Sequence, residues 1–484
     1  MNRELKRISV LVLAMFLALL VSSTVIQLAQ ASTLAADGRN TRTRYDGYKV
    51  QRGPILVAGT PVAESVPVDD NYRWQRVYST PDMYAALTGY FPVLGEATGL
   101  EGVLNEYLSG RSSDQFLEKI QSIVSGQHPR GATVETTIDP VAQQAAWDAL
   151  GDYQGAVIVT EPATGKVLAM VSKPSFDTNL LASHDEAAVE ATYQNLLTAP
   201  NTPLVNRAIG GNMNPPGSVF KLVVVAAALE SGKYTPESEF PNPATLTLPG
   251  TDTVIKNTEG GTCGGGATVT IATALRLSCN IPFAELGQAL GAAAIRAQAE
   301  KFGFNSSFEI PTHTDASVYP RVLDDAQTMM SAFGQYDVRA TPIQMAMVSA
   351  AIANGGKVMN PNLVEAITTS DLSPIRSFNA SMYSQAISEQ TAATMTQMMV
   401  NGVNSGAASN AQIPGVDVAG KTGTAQNGAT DPYTLWFTGF APANDPKYAI
   451  TVLVENGGGL GQTGYGNLIA APIAKKVLEA VLNK

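Results

Sequence analysis

The 484-residue sequence predicts an α+β fold. Its larger, C-terminal part reads as an antiparallel sheet flanked by helices, with a helical subdomain. A small N-terminal domain and one N-terminal transmembrane helix precede it. Three observations predict this. Strand-like runs cluster after residue 150 and again after residue 415, with a helical pattern between them. The first 31 residues hold one apolar run of bilayer length. The segment between alternates short apolar runs with turn residues, a mixed α+β signal.

The elements follow in chain order. Arg3, Lys6 and Arg7 precede an apolar run over residues 8–28, and no charged residue follows until Asp37. Such a run meets the roughly 20 residues a membrane helix needs. Its basic flank stays cytoplasmic, which places the body of the protein outside. The triplet "AQA" at 29–31 resembles a cleavage site, so a removed signal peptide is the alternative. The length of the run favours an anchor, and either reading exports the body. Residues 33–53 form a polar, Arg-bearing linker. The expected division is residues 1–31 as cytoplasmic tip and anchor, 32–149 as linker and small N-terminal domain, and 150–484 as the larger C-terminal domain.

Residues 155–173, "GAVIVTEPATGKVLAMVSK", read as two strands joined by a short turn. "VDVAGKTGTAQNG", "YTLWFTGFAP" and "YAITVLVENGG" read as successive antiparallel strands, and "LIAAPIAKKVLEAVL" as a closing amphipathic helix. "TIATALRLSCNIPFAELGQAL" and "TPIQMAMVSAAIANGG" are helical, the second stopped by Gly355 and Gly356.

Composition narrows the function classes. Hydrophobic residues make up 45%, enough for a sizeable core, and the net charge of -10 disfavours nucleic acid as a partner. Two cysteines, Cys263 and Cys279, and three scattered histidines, His128, His184 and His313, do not form a metal-ligand pattern. Outside the cytoplasm the cysteines are candidates for a disulfide, with two unrelated thiols as the alternative. "EGGTCGGG" over residues 259–266 is a flexible loop, since it lacks the lysine and hydroxyl of a phosphate loop. A Cys263–Cys279 bond would tie that loop to residues 278–280 and contribute roughly 3 kcal/mol.

Chemistry concentrates in three short stretches. In "NPPGSVFK", residues 214–221, Ser218 opens a long apolar helix and Lys221 lies on the same face. The free N–H groups and positive dipole of a first helical turn favour a developing anion there. A desolvated lysine one turn on can accept the serine proton. Alone, the pair reads more simply as an N-cap serine with a snorkelling lysine. In "LSCN", Ser278 and Asn280 flank Cys279 at a helix junction, where a hydroxyl can relay a proton and an amide can hold an amine. In "GKTGTAQ", residues 420–426, Lys421 supplies a cation, Thr422 and Thr424 supply hydroxyls, and Gly423 permits close backbone approach. Taken singly, these are a capped junction and a lysine-guarded edge strand. Together and in this order, S-x-x-K, S-x-N and K-T-G form the signature of penicillin-binding proteins and serine β-lactamases.

The chain resembles a class B penicillin-binding protein, most nearly the short actinobacterial type of septal wall synthesis. The resemblance extends beyond the three motifs. It includes "QRGPIL" (51–56) and "TGLEGVLNEYLSG" (98–110), similar to pedestal motifs, and "TTIDPVAQQ", "NRAIGGNMNPPGSVFK" and "WFTGFAP". It implies the penicillin-binding/serine β-lactamase-like transpeptidase fold and a peptidoglycan D,D-transpeptidase. Ser218 would attack the carbonyl between the last two D-alanines of a stem peptide, with release of D-Ala. Lys221 would be the general base, Ser278 the proton relay, Asn280 the orienting amide and Lys421 the group polarising Ser278. Thr422, Gly423 and Thr424 would bind substrate, and backbone N–H groups of Ser218 and Thr424 would form an oxyanion hole.

The implied partners are stem peptides, lipid-linked precursor strands, β-lactams, the cytoplasmic membrane and a separate glycosyltransferase or division complex. No cofactor or metal is implied. No glycosyltransferase-sized segment precedes the pedestal, which points to a monofunctional protein. The sequence departs from the common pattern at Cys279, where serine or aspartate is usual, and at the Tyr-Thr-Leu run before Trp436. The rival functions are a D,D-carboxypeptidase or β-lactamase, or a non-catalytic β-lactam sensor or division scaffold.

Overall fold

The computed structural model describes residues 2–28, 30, 34, 48, 50–115, 130–257 and 260–484. Ala29 and Ala31 of the cleavage-like triplet, residues 35–47 of the linker, His128 and Glu259 lie outside them. Helix α1 (Asn2–Leu28) contains an apolar span, Leu5–Gln27, of 23 residues with none of it buried. At ~1.5 Å per residue that exceeds the roughly 30 Å hydrocarbon layer, so the helix is long and apolar enough to cross a membrane.

Two sheets organise the rest. The strands that form them are β1 (Ile55–Val57), β2 (Thr60–Pro67), β3 (Trp74–Tyr78), β4 (Thr133–Thr136), β5 (Gly155–Thr160), β6 (Val167–Lys173), β7 (Val364–Thr368), β8 (Pro374–Ser377), β9 (Ala419–Ala425), β10 (Thr434–Ala441) and β11 (Tyr448–Val454). The helices needed here are α2 (Pro140–Leu150), α3 (Lys221–Glu230), α4 (Ile271–Leu277), α5 (Ile281–Leu290), α6 (Pro342–Ala353), α7 (Glu389–Ser405) and α8 (Ala470–Leu482).

The five-stranded sheet has the order β9-β10-β11-β5-β6, antiparallel throughout. Both ends of the larger domain therefore build one sheet, as the two strand clusters predict. Its strands are buried on both faces, and alternate residues serve different cores. Ile158, Trp436, Phe440 and Leu453 join the cluster containing α3 and α6. Val157, Val159, Phe437 and Val452 join the cluster containing α2 and α8. Local signals set the helix starts: Asp139 caps α2 through the N–H groups of Val141 and Ala142, and Thr341 caps α6, each followed by proline at the first position.

The six-stranded sheet has the order β8-β7-β4-β1-β2-β3. β4 pairs in parallel with β1 and antiparallel with β7. Packing thus departs from a simple cut at residue 150. The N-terminal sheet takes two strands from residues 364–377, and α2 packs with β5, β6 and α8. The two pedestal motifs meet in its interior. Arg52 of the first donates to Glu101 of the second at 2.7 Å, and Arg76 donates to the other oxygen of Glu101 at 2.5 Å. All three are buried. Burial alone would raise the Glu101 carboxyl, but the two guanidinium groups outweigh it and hold it below the ordinary carboxylate value.

Candidate active site

Ser218 lies on a 3-10 turn, Gly217–Phe220, that runs directly into α3. Leu222 to Ala228 of α3 are buried on every face, so the helix is a core helix rather than a surface one. Just past its end, Gly232 has φ +67 and donates its N–H to Leu229 O at 3.1 Å. The turn packs on β9. The approach is close enough to demand glycine twice. Gly217 has φ +55, and a Cβ there would sit 3.0 Å from Thr424 O. A Cβ at Gly423 would sit 2.7 Å from Pro216 O.

The second motif fills the gap between α4 and α5. Ser278 adopts a left-handed conformation, φ +61 and ψ +37, unusual for a residue with a side chain. That geometry ends α4 and turns two atoms of Ser278 toward different lysines. Lys221 Nζ donates to Ser278 O at 2.9 Å and to Asn280 Oδ1 at 2.9 Å. Lys421 Nζ donates to Ser278 Oγ at 2.7 Å and to Thr422 O at 2.9 Å. Four of the sequence-identified residues, Lys221, Ser278, Asn280 and Lys421, are therefore one hydrogen-bonded unit.

Electrostatics follow from burial. Neither lysine has a carboxylate partner among the described residues. Burial holds the Lys221 amine well below the ordinary lysine value, and the neighbouring Lys421 lowers it further. Burial brings Lys421 down to about 7. A neutral amine has two N–H donors and one lone pair. Lys221 has two acceptors for those donors, which leaves the lone pair free to take a proton.

Other expected residues are placed less simply. Among the described residues the Ser218 hydroxyl has no hydrogen-bond partner, so no Ser218–Lys221 bond exists in this state. The Thr422 hydroxyl donates to Ala407 O at 2.8 Å, which occupies its proton. Thr424 Oγ1 accepts from Gly466 N at 3.1 Å and keeps its proton to donate. Of the two hydroxyls expected to seat a carboxylate, Thr424 is the available donor. Cys263 and Cys279 are joined by a disulfide, with Cα atoms 5.8 Å apart. Among the described residues β9 is the edge strand of its sheet, the kind of margin with which an extended ligand can pair.

A family model described as the penicillin binding protein transpeptidase domain matches residues 155–479. The chain belongs to this family. A second model, the penicillin binding protein A dimerisation domain, matches residues 52–134. Among its relatives is the peptidoglycan D,D-transpeptidase PbpA of Mycolicibacterium smegmatis, 41% identical over 494 residues, with 100% of each chain covered. PbpA of Mycobacterium tuberculosis is 41% identical over 491 residues, covering 100% of this chain and 99% of that one. The ceftriaxone acyl-enzyme complex of penicillin-binding protein A from M. tuberculosis superposes with a TM-score of 0.87 at 39% identity, covering 90% of this chain and 100% of that one.

This penicillin-binding protein also holds its Ser218 turn with residues the motifs did not reveal. Glu455, just past β11, accepts from Arg207 Nε at 2.9 Å, Gln154 Nε2 at 2.6 Å and Asn214 Nδ2 at 3.0 Å. Thr434 Oγ1 donates to Asn214 Oδ1 at 3.1 Å, and Trp436 Nε1 donates to Pro215 O at 3.0 Å. The chain entering Ser218 is thereby fixed to the sheet. Asn214 and the prolines stand in the same motif, but a lone glutamate at a strand end carries no signal of its own.

Proposed function

We propose that this chain is a serine D,D-transpeptidase that cross-links peptidoglycan stem peptides, with Ser218 as nucleophile. The observation that carries the assignment is the buried Lys221 amine, its N–H groups held by Ser278 O and Asn280 Oδ1. Ser218 Oγ attacks the carbonyl between the two terminal D-alanines as Lys221 takes its proton. Backbone N–H groups of Ser218 and Thr424 receive the oxyanion. Ser278 delivers a proton to the departing D-Ala nitrogen, and Lys421 makes that proton available. An amine from a neighbouring stem peptide then displaces Ser218 and restores the enzyme. β-Lactams present a similar strained amide and acylate Ser218. Lys421, Thr424 and the backbone of Gly423 seat the substrate carboxylate and strand, with Thr422 holding the motif to Ala407.

The remaining assignments belong to the same proposal. Helix α1 anchors the chain as a single pass, with Arg3, Lys6 and Arg7 on the cytoplasmic side and residues 150–484 outside. Residues 32–149 serve as the pedestal. The reaction supports septal wall synthesis beside a separate glycosyltransferase.

The test uses the full-length chain in detergent with a fluorescent penicillin. The wild type is labelled at Ser218 and Ser218→Ala is not; equal labelling of the two would refute the assignment. With lipid-linked substrate the expected product is cross-linked dimer, whereas free D-Ala without dimer would replace transfer by hydrolysis.

A further inference from the structure

Asn280 stands at the N-cap of α5. An asparagine there ordinarily turns its oxygen onto the free N–H groups of its own first turn. Asn280 does not: it makes no cap bond, and its amide bridges Lys221 Nζ and Lys256 O instead. The helix is capped from elsewhere. Asn257 Oδ1 accepts from Asn280 N at 3.0 Å and from Ile281 N at 3.1 Å. The next residue, Pro282, has no N–H to satisfy.

Asn257 is only 5% exposed, and its own amide is held. Its Nδ2 donates to Gly261 O at 3.1 Å. The fully buried Asn242 secures the same loop, donating to Cys263 O at 2.7 Å and accepting from Cys263 N at 3.1 Å. The disulfide ties Cys263 to Cys279, between the two functional residues of the junction. Loop and junction are thus joined covalently and through two asparagine side chains.

We infer that Asn257 is a positioning residue of the acyl-transfer site: by capping α5 from outside, it leaves the Asn280 side chain free to hold the Lys221 amine. Without it, the buried N–H of Ile281 and the partly buried N–H of Asn280 lose their acceptor. An N-cap asparagine ordinarily turns its own oxygen onto its first turn, and each such turn of Asn280 Oδ1 releases Lys221. The inference rests on Lys221 acting at Ser218.

The test compares acylation rates by fluorescent penicillin, with thermal midpoints, for full-length Asn257→Ala, Asn257→Asp, Asn280→Ala and the Asn257→Ala/Asn280→Ala double variant. Asn257→Ala slows acylation by about 10–100-fold, the scale of a misplaced catalytic group. Asn257→Asp keeps the accepting oxygen but not the donor to Gly261. It stays within about threefold of wild type while its midpoint falls like that of Asn257→Ala. In the Asn280→Ala background, Asn257→Ala causes no further slowing, as expected of residues acting in series. Should Asn257→Ala not fold, Asn257→Ser replaces it with the same expectations, because a short hydroxyl cannot span both N–H groups.

The inference is overturned by a wild-type rate in Asn257→Ala, by Asn257→Asp as slow as Asn257→Ala, or by equal slowing in the Asn280→Ala background. Failure of wild type to label at Ser218 would instead remove the site assignment itself.

Discussion

In the proposed mechanism the two lysines divide the proton chemistry, because each is buried and each meets Ser278 through a different atom. Lys221 works as the neutral amine, so acylation rises with pH through its lowered pKa. Lys421 assists as the ammonium, and burial places its loss of charge at about 7. The expected profile is therefore a bell with its falling limb near pH 7. In Lys421→Arg the guanidinium stays charged, and any activity that remains has its falling limb moved to higher pH. An unmoved limb in stopped-flow acylation would show that Lys421 does not set it. Ser218, Lys221, Ser278, Asn280 and Lys421 were legible in the sequence because each motif is local. Asn257 and Glu455 were not, because their partners lie on other segments: Asn257 bonds residues 280 and 281, and Glu455 bonds residues 154, 207 and 214. The engaged hydroxyl of Thr422 was also hidden, since Ala407 is brought to it only by the packing of α7 on β9.

At the scale of elements, the pedestal owes its interior to an ionic triad rather than to apolar packing alone. Glu101 pairs with both Arg52 and Arg76, and Arg52 also reaches Asn105 and lies over the Phe91 ring at 3.9 Å. Glu101→Ala leaves two buried guanidinium groups without their carboxylate, which costs about 3–5 kcal/mol. Thermal unfolding of the full chain should show the loss, and an unchanged midpoint would refute it. The carboxyl is depressed in the fold, so its contribution is complete above the ordinary carboxylate range. It is lost only as pH falls through the lower, folded-state value. The strands of the five-stranded sheet were legible from period and turn residues. β7 and β8 fall in the stretch whose pattern reads as helical, and no local pattern names a strand's distant neighbour.

Over the whole molecule, the two sheets are interleaved along the chain. β4 has β1 on one side and β7 on the other, with Ile367 opposite Val134. A fragment ending at residue 150 keeps β1 to β4 but loses β7 and β8, and its α2 loses α8. Circular dichroism of such a fragment should show no cooperative unfolding, and a sharp transition would contradict the shared sheet. This interleaving also has a temporal meaning. A ribosome delivers β4 long before β7, so the nascent pedestal waits with one ribbon margin unsealed through the making of α2 to α6. Such a margin recruits stray strands. The catalytic body must therefore be largely synthesised before its own support can close.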